Sequence, residues 1–231
     1  MLLTLPNTVP SGFEVLIIRN ASVRSIPKLA FRRMDRLKEI HVDSCDHLTF
    51  LEKFAFKGMK RLRKISFTNC PRLNEISKST FSGIGNEFGV KIHFHQTPVQ
   101  RIHSGAFRHA SNIRELSISG SDLALSRHAF ASINQLDFLT VSGVTVIEPQ
   151  LFTNSTRFHI VHLKELNCEI PPRAFEDLAH VHQPQAFYTI GLPKYYTSPC
   201  LTFIYLKQVK TFYAVEAKEI MQVLIDQTFL F

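Results

Sequence analysis

The sequence predicts an α/β solenoid, a curved stack of about seven repeats whose short parallel strands line its concave side, followed by a non-repeat C-terminal tail. Three observations carry that expectation. Two consecutive lines, LKEIHVDSCDHLTFLEKFAF from Leu37 and LRKISFTNCPRLNEISKSTF from Leu62, share the pattern L-x-x-I-x-φ-x-x-C-x-x-L-x-x-φ and a closing phenylalanine, φ being any apolar residue. Phenylalanine then recurs at Phe31, Phe56, Phe81, Phe107, Phe130, Phe152 and Phe175, in steps of 25, 25, 26, 23, 22 and 23 residues. Finally, the chain holds 20 phenylalanines and no tryptophan, as expected when one residue type is reused at one structural position.

Taken in order, the first unit offers Phe13, Leu16, Ile18, Ala21, Val23 and Ile26 as inward residues. The second and third are the matched pair. The fourth offers Ile92, Phe94, Thr97, Val99 and Ile102, the fifth Ile113, Leu116, Ile118, Ser121 and Leu123, and the sixth Leu136, Leu139, Val141, Val144 and Val146. The seventh, Phe158, Val161, Leu163, Leu166 and Cys168, fits less closely. In each unit the φ-x-φ pair alternates with period two, the signature of a short strand with one buried face. A unit of this size cannot bury that face alone, so each must stack on its neighbours, and the phenylalanines form a second seam on the opposite side. GIGNEFG, with Gly83, Gly85 and Gly89, falls in the longest repeat and is read as extra turn, because no lysine follows at phosphate-loop spacing.

The repeats are expected to occupy residues 1–182 and the tail 183–231. The tail carries proline and aromatic residues, then strand-like composition, and ends with Ala217, Ile220, Met221 and Leu224 at helical spacing. Two readings of it stay open: a cap over the last repeat, or an atypical terminus.

On these units the chain resembles the leucine-rich repeat family, of the animal extracellular type with an Ala-Phe step, as at Ala55-Phe56 and Ala106-Phe107. The resemblance covers residues 1–182. Leu5-Pro6 and Val9-Pro10, followed by VLIIRNASVRSIPKLAF, look like the first repeat after an amino-terminal cap in that family. The irregular D-x-L-x-x-L-x-x-x-A-F spacing is somewhat similar to hormone-binding ectodomains of glycoprotein-hormone-type receptors. The resemblance implies a non-catalytic module, a receptor ectodomain or fragment that binds a protein or peptide ligand on its concave face. Two departures stand out: Cys45, Cys70, Thr97 or Ser121 replaces the family's asparagine after the strand, and no cysteine-rich cap is visible. Cys, Thr and Ser can also donate a hydrogen bond at that bend, whereas Val144 and Leu166 cannot, so the sixth and seventh units should be less regular there.

No nucleophile elbow, phosphate loop or HExxH motif occurs, so neither an enzyme nor a cofactor is expected. The ligand-facing positions lie between and after the inward pairs: His41, Asp43, Ser66, Thr68, His93, His95, Ser117, Ser119, Thr140 and His162, with Ile17, Arg19, Ser142 and Lys164 beside them. His93 and His95 share one face of a strand. With no carboxylate or cysteine placed to complete a metal site, they read as part of a polar, histidine-bearing face whose binding responds to pH.

The net charge of +8 gathers partly in Arg32, Arg33, Arg36 and Lys38, then Lys57, Lys60, Arg61, Arg63 and Lys64, which adjacent repeats should bring to one edge. That edge suits sulfated glycan and supports a second reading, a secreted matrix-type protein; an intracellular scaffold is a third. Nucleic acid is not expected, because no aromatic platform interleaves the charges. The sequons at Asn20 and Asn154 agree with an extracellular glycoprotein. No signal peptide or membrane span is visible, so the amino terminus is read as incomplete. Among four cysteines, Cys45 and Cys70 are expected as buried thiols, while Cys168 and Cys200 are candidates to pair if the tail folds back.

Overall fold

The computed structural model describes residues 12–168, 171, 173–174, 187–190 and 212–213. Each repeat contributes one strand to a long parallel sheet: β1 (Val15–Arg19), β3 (Glu39–Asp43), β5 (Lys64–Thr68), β7 (Val90–His95), β9 (Ile113–Leu125), β10 (Leu136–Ile147) and β11 (Phe158–Lys164). The parallel order continues past residue 182 through β12 (Phe187–Ile190) and β13 (Phe212–Tyr213). Two-residue strands on the return path, β2 (Ser25–Ile26), β4 (Phe50–Leu51), β6 (Glu75–Ile76) and β8 (Arg101–Ile102), add a second line of parallel pairing. Among the described residues the return path holds turns and these short strands, and no helix. The predicted solenoid is therefore present, built from a strand and tight turns in each coil.

The repeated apolar positions are the core. Ile40, Val42, Cys45, Leu48, Leu51 and Phe56 are all buried, as are their counterparts Ile65, Phe67, Cys70, Leu73, Ile76 and Phe81 one coil on. The closing phenylalanines stack ring on ring, with centroids 5.5 Å apart for Phe31–Phe56, 5.2 Å for Phe56–Phe81 and Phe81–Phe107, 5.9 Å for Phe107–Phe130 and 5.5 Å for Phe130–Phe152. Directly under the sheet, Phe67 and Phe94 stack at 4.8 Å, which matches the roughly 4.8 Å separation of neighbouring strands. The wider spacing at the phenylalanine seam places the sheet on the inner side of the bend, and hence on the concave face. The seventh anchor, Phe175, lies outside the described residues.

Two series of left-handed residues recur along the coils. One series, Leu29, Phe54, Ser79, Gly105, His128 and Gln150, precedes the phenylalanine seam by two residues. Backbone bonds link these positions from coil to coil, such as Leu29 N–H to Phe54 O at 3.2 Å and Phe54 N–H to Ser79 O at 2.9 Å. The other series, Asn20, Ser44, Asn69 and Gln96, ends the concave strands.

At the bend after each early strand, the predicted donors do what their chemistry allows. The Cys45 thiol lies 3.6 Å from Ile18 O, the Cys70 thiol 3.4 Å from Thr68 O, and the Thr97 hydroxyl 3.2 Å from His95 O. Ser121 does not join them. It is exposed in a bulge, because the β9–β10 register jumps from Ser119↔Ser142 to Leu123↔Val144. Glycine takes over the bend: a Cβ on Gly143 would fall 1.8 Å from Gly120 O, and one on Gly120 would fall 2.3 Å from Val99 O. The irregularity thus begins one unit earlier than the donor rule implies, and the concave and return strands fuse into the continuous β9 and β10.

Two inward assignments also change. Phe13, placed like Leu37 in the first unit, is 56% exposed, and Val146 is 47% exposed while its neighbour Ile147 points inward. The register shift between Val144 and Val146 exchanges those two. GIGNEFG is a turn, with positive φ at Gly83, Gly85 and Gly89, and a Cβ on Gly85 would fall 1.8 Å from Ser111 O.

Candidate functional site

Register alone sorts the outward residues of the concave sheet into three rows that cross the strands. The middle row runs Ile17, His41, Ser66, His93, Ser117, Thr140 and His162. A second runs Arg19, Asp43, Thr68 and His95, then Ser119, Ser142 and Lys164. The sequence identified both rows. The third, Val15, Glu39, Lys64, Lys91, Glu115, Phe138 and Ile160, was missed except for Lys64. Its signal was the residue two positions before the first outward one, visible once period two is carried to the start of each strand.

The missing row supplies partners for the histidines. His41 sits 2.8 Å from Glu39 Oε2 and 2.7 Å from Ser66 Oγ. His93 Nε2 is 3.2 Å from Glu115 Oε1, yet not aligned for a hydrogen bond, and is a buried nitrogen with no hydrogen-bond partner. Burial holds the His93 imidazolium below its usual pKa, with Lys64 and Lys91 adding to the effect and Glu115 opposing it. Burial also lowers His162, helped by Lys164. Glu115 is pushed up by burial, but Lys91 at 3.0 Å and His93 more than offset this and leave its carboxyl below the ordinary range.

A carboxylate therefore does stand beside His93, contrary to the sequence expectation, because Glu115 arrives from the next strand. Among the described residues no group of three or more His, Cys, Asp or Glu could hold a metal ion. Elsewhere on the face Arg19 pairs with Asp43 at 2.7 Å, and Ser142 donates to Glu165 at 2.6 Å.

Val15 and Ile17 are exposed on the first strand, and further along the sheet an aromatic ring breaks the polar surface. Phe138 is 50% exposed, between Glu115 on one neighbouring strand and Ile160 on the other.

The predicted basic edge divides into two groups. Arg36, Lys38, Arg61 and Arg63 lie where the chain enters the concave strands, with Lys64 on the sheet itself. There Lys38 pairs with Glu14 at 2.7 Å, Arg36 and Arg61 help to lower the Glu14 pKa, and the Arg63 guanidinium lies 4.7 Å from the Phe88 ring centroid. Arg32, Arg33, Lys57 and Lys60 belong to the return side beside the phenylalanine seam, are exposed, and make no ion pair among the described residues.

The sequon asparagines Asn20 and Asn154 are both exposed, at left-handed bends with φ of 50° and 57°. Cys45, Cys70 and Cys168 are free thiols, and Cys200 lies outside the described residues. Burial raises all three, Cys70 to about 11, so they remain protonated at neutral pH.

No curated protein sequence matches the chain. Among solved structures, the crystal structure of human 5T4 (Wnt-activated inhibitory factor 1, trophoblast glycoprotein) is similar over 83% of this chain and 74% of that one, with a TM-score of 0.53 and 18% identity, a likeness of fold. The BspA type leucine rich repeat region matches in six copies over residues 13–136 and 90–202, so the chain belongs to the leucine-rich repeat family with repeats of the BspA type.

Proposed function

We propose that this chain is a non-catalytic recognition module that binds a protein or peptide ligand across its concave sheet. The observation that carries the reading is Phe138, an aromatic ring half-exposed among the mostly polar, ion-paired outward residues of the later strands. Binding energy at protein interfaces concentrates in a few buried aromatic anchors ringed by polar contacts. The three rows supply such a ring in Glu115, Ser117, Thr140 and His162.

The same reading takes the chain as a receptor ectodomain or fragment of the animal extracellular type, working outside the cell. Exposure of both sequon asparagines supports that placement. A benzophenone amino acid at position 138 should crosslink a discrete partner that unlabelled wild-type protein competes away and the Phe138→Asp variant does not. Crosslinks obtained only from a return-side position such as Arg101 would sink the concave-face reading.

A further inference from the structure

Beyond the cluster marked in the sequence, the structure aligns further cations on the return side. Lys28, Lys53 and Lys78 each lie three residues before a seam phenylalanine and one before a left-handed residue. The bonds from Leu29 N–H to Phe54 O and from Phe54 N–H to Ser79 O hold their neighbours in register, so the three lysines form one column, one per coil. The seam beside them advances 5.5 and 5.2 Å per coil. All three are exposed and make no ion pair among the described residues.

A parallel column stands just past the seam, where Arg32 and Lys57 occupy the same position on successive coils. The two columns meet over one ring. Lys28 Nζ lies 5.8 Å and Lys57 Nζ 5.1 Å from the Phe54 centroid, so two ammonium groups lie against one aromatic ring. The Lys57 stem then reaches onto the third coil, where its Cε would lie 3.6 Å from a Cβ on Gly83. Glu52, next to Lys53 in the sequence, accepts from the Lys28 backbone N–H at 2.9 Å and forms no ion pair with either column among the described residues.

Like charges repeated at strand spacing repel one another, and a polyanion with regularly spaced charges relieves that repulsion. We propose that the return face of the first three coils binds a linear sulfated glycan laid across the coils, with its sulfates on the Lys28–Lys53–Lys78 column and the Arg32–Lys57 column. Single-stranded nucleic acid would need a ladder of exposed rings for successive bases. Among the described residues the rings beside the columns are the exposed Phe50, with Ser25 and Glu75 at its place one coil away on either side, and the part-buried Phe54, with Leu29 and Ser79 at its place. The site is separate from the concave face, so it stands or falls independently of the Phe138 reading.

The test is calorimetric titration of the full chain with a size-defined heparin oligosaccharide at physiological ionic strength, beside single-stranded DNA of equal charge. The triple variant Lys28→Gln, Lys53→Gln, Lys78→Gln should lose on the order of tenfold or more in heparin affinity and show a shallower dependence on salt, because fewer counterions are released. A charge-matched triple away from both columns, Arg72→Gln, Arg114→Gln, Arg157→Gln, should bind as wild type does. All six residues are exposed, and an unchanged melting temperature confirms that each variant is folded. Equal losses in the two triples, no heparin binding by wild type, or tighter binding of DNA than of heparin would each overturn the proposal.

Discussion

Cys45, Cys70 and Thr97 hold one structural position on three successive coils, and each turns a short polar group onto the carbonyls of the bend. The set is linked, since the Cys70 N–H donates to the Thr97 hydroxyl at 3.3 Å. Thr97 is 1% exposed, so replacing it with the isosteric valine strands that N–H away from water. Thr97→Val should cost about 1–3 kcal/mol in urea unfolding. Glycine does the equivalent work further along. Gly143 combines a φ of 75° with its approach to Gly120 O, so Gly143→Ala should cost more than about 2 kcal/mol by the same assay, whereas Gly12→Ala, in open space, should be close to neutral. His93 gives a pH signature. Its folded pKa lies below the ordinary value of about 6.5, so the unfolded chain binds protons first as pH falls. The stability it contributes is complete above that ordinary value and is lost as pH drops toward the depressed one. Melting temperature measured from pH 7.5 to 5.5 should therefore fall less steeply in His93→Gln than in wild type; parallel profiles would contradict the assignment.

At the scale of elements, the phenylalanine seam and the parallel sheet are two lines of stacking that hold the coils together. Phe81 lies in the middle of the seam, against Phe56 and Phe107 on either side and edge-on to Phe94 beneath the sheet at 6.1 Å. Phe81→Ala removes all three ring contacts and leaves a cavity, and should cost about 3–5 kcal/mol, within the range for buried aromatic truncation. This element was legible in the sequence because a buried ring has one partner chemistry and the coil length fixes its recurrence. The bends of β9 and β10 were not. The donor rule followed side chains, whereas a bulge of Ser121 and Asp122 let backbone approach backbone at Gly120 and Gly143, and close backbone approach leaves no distinctive side-chain pattern beyond the glycines themselves.

Across the whole molecule, stability should follow the number of neighbours that each strand possesses. β1 pairs only with β3 among the described residues, and carries exposed Val15 and Ile17, while β5 lies between β3 and β7. Amide exchange in Val15–Arg19 should therefore run at least about tenfold faster than in Lys64–Thr68, as local opening at a solenoid end disrupts one interface rather than two. The sequence by itself determined the coil: its length, its inward residues and the phenylalanine that closes it, because periodic burial is written directly in the spacing of apolar side chains. It also marked two rows of the concave face. Only the tertiary structure decided what those rows meet. Ser66 against His41, Glu115 against His93, Phe138 in the midst of polar groups and the lysine column on the return side each join residues about one coil apart or on different strands. Such meetings depend on the register between coils, and register is set by the backbone bonds and bulges that connect them, not by any one coil's own pattern.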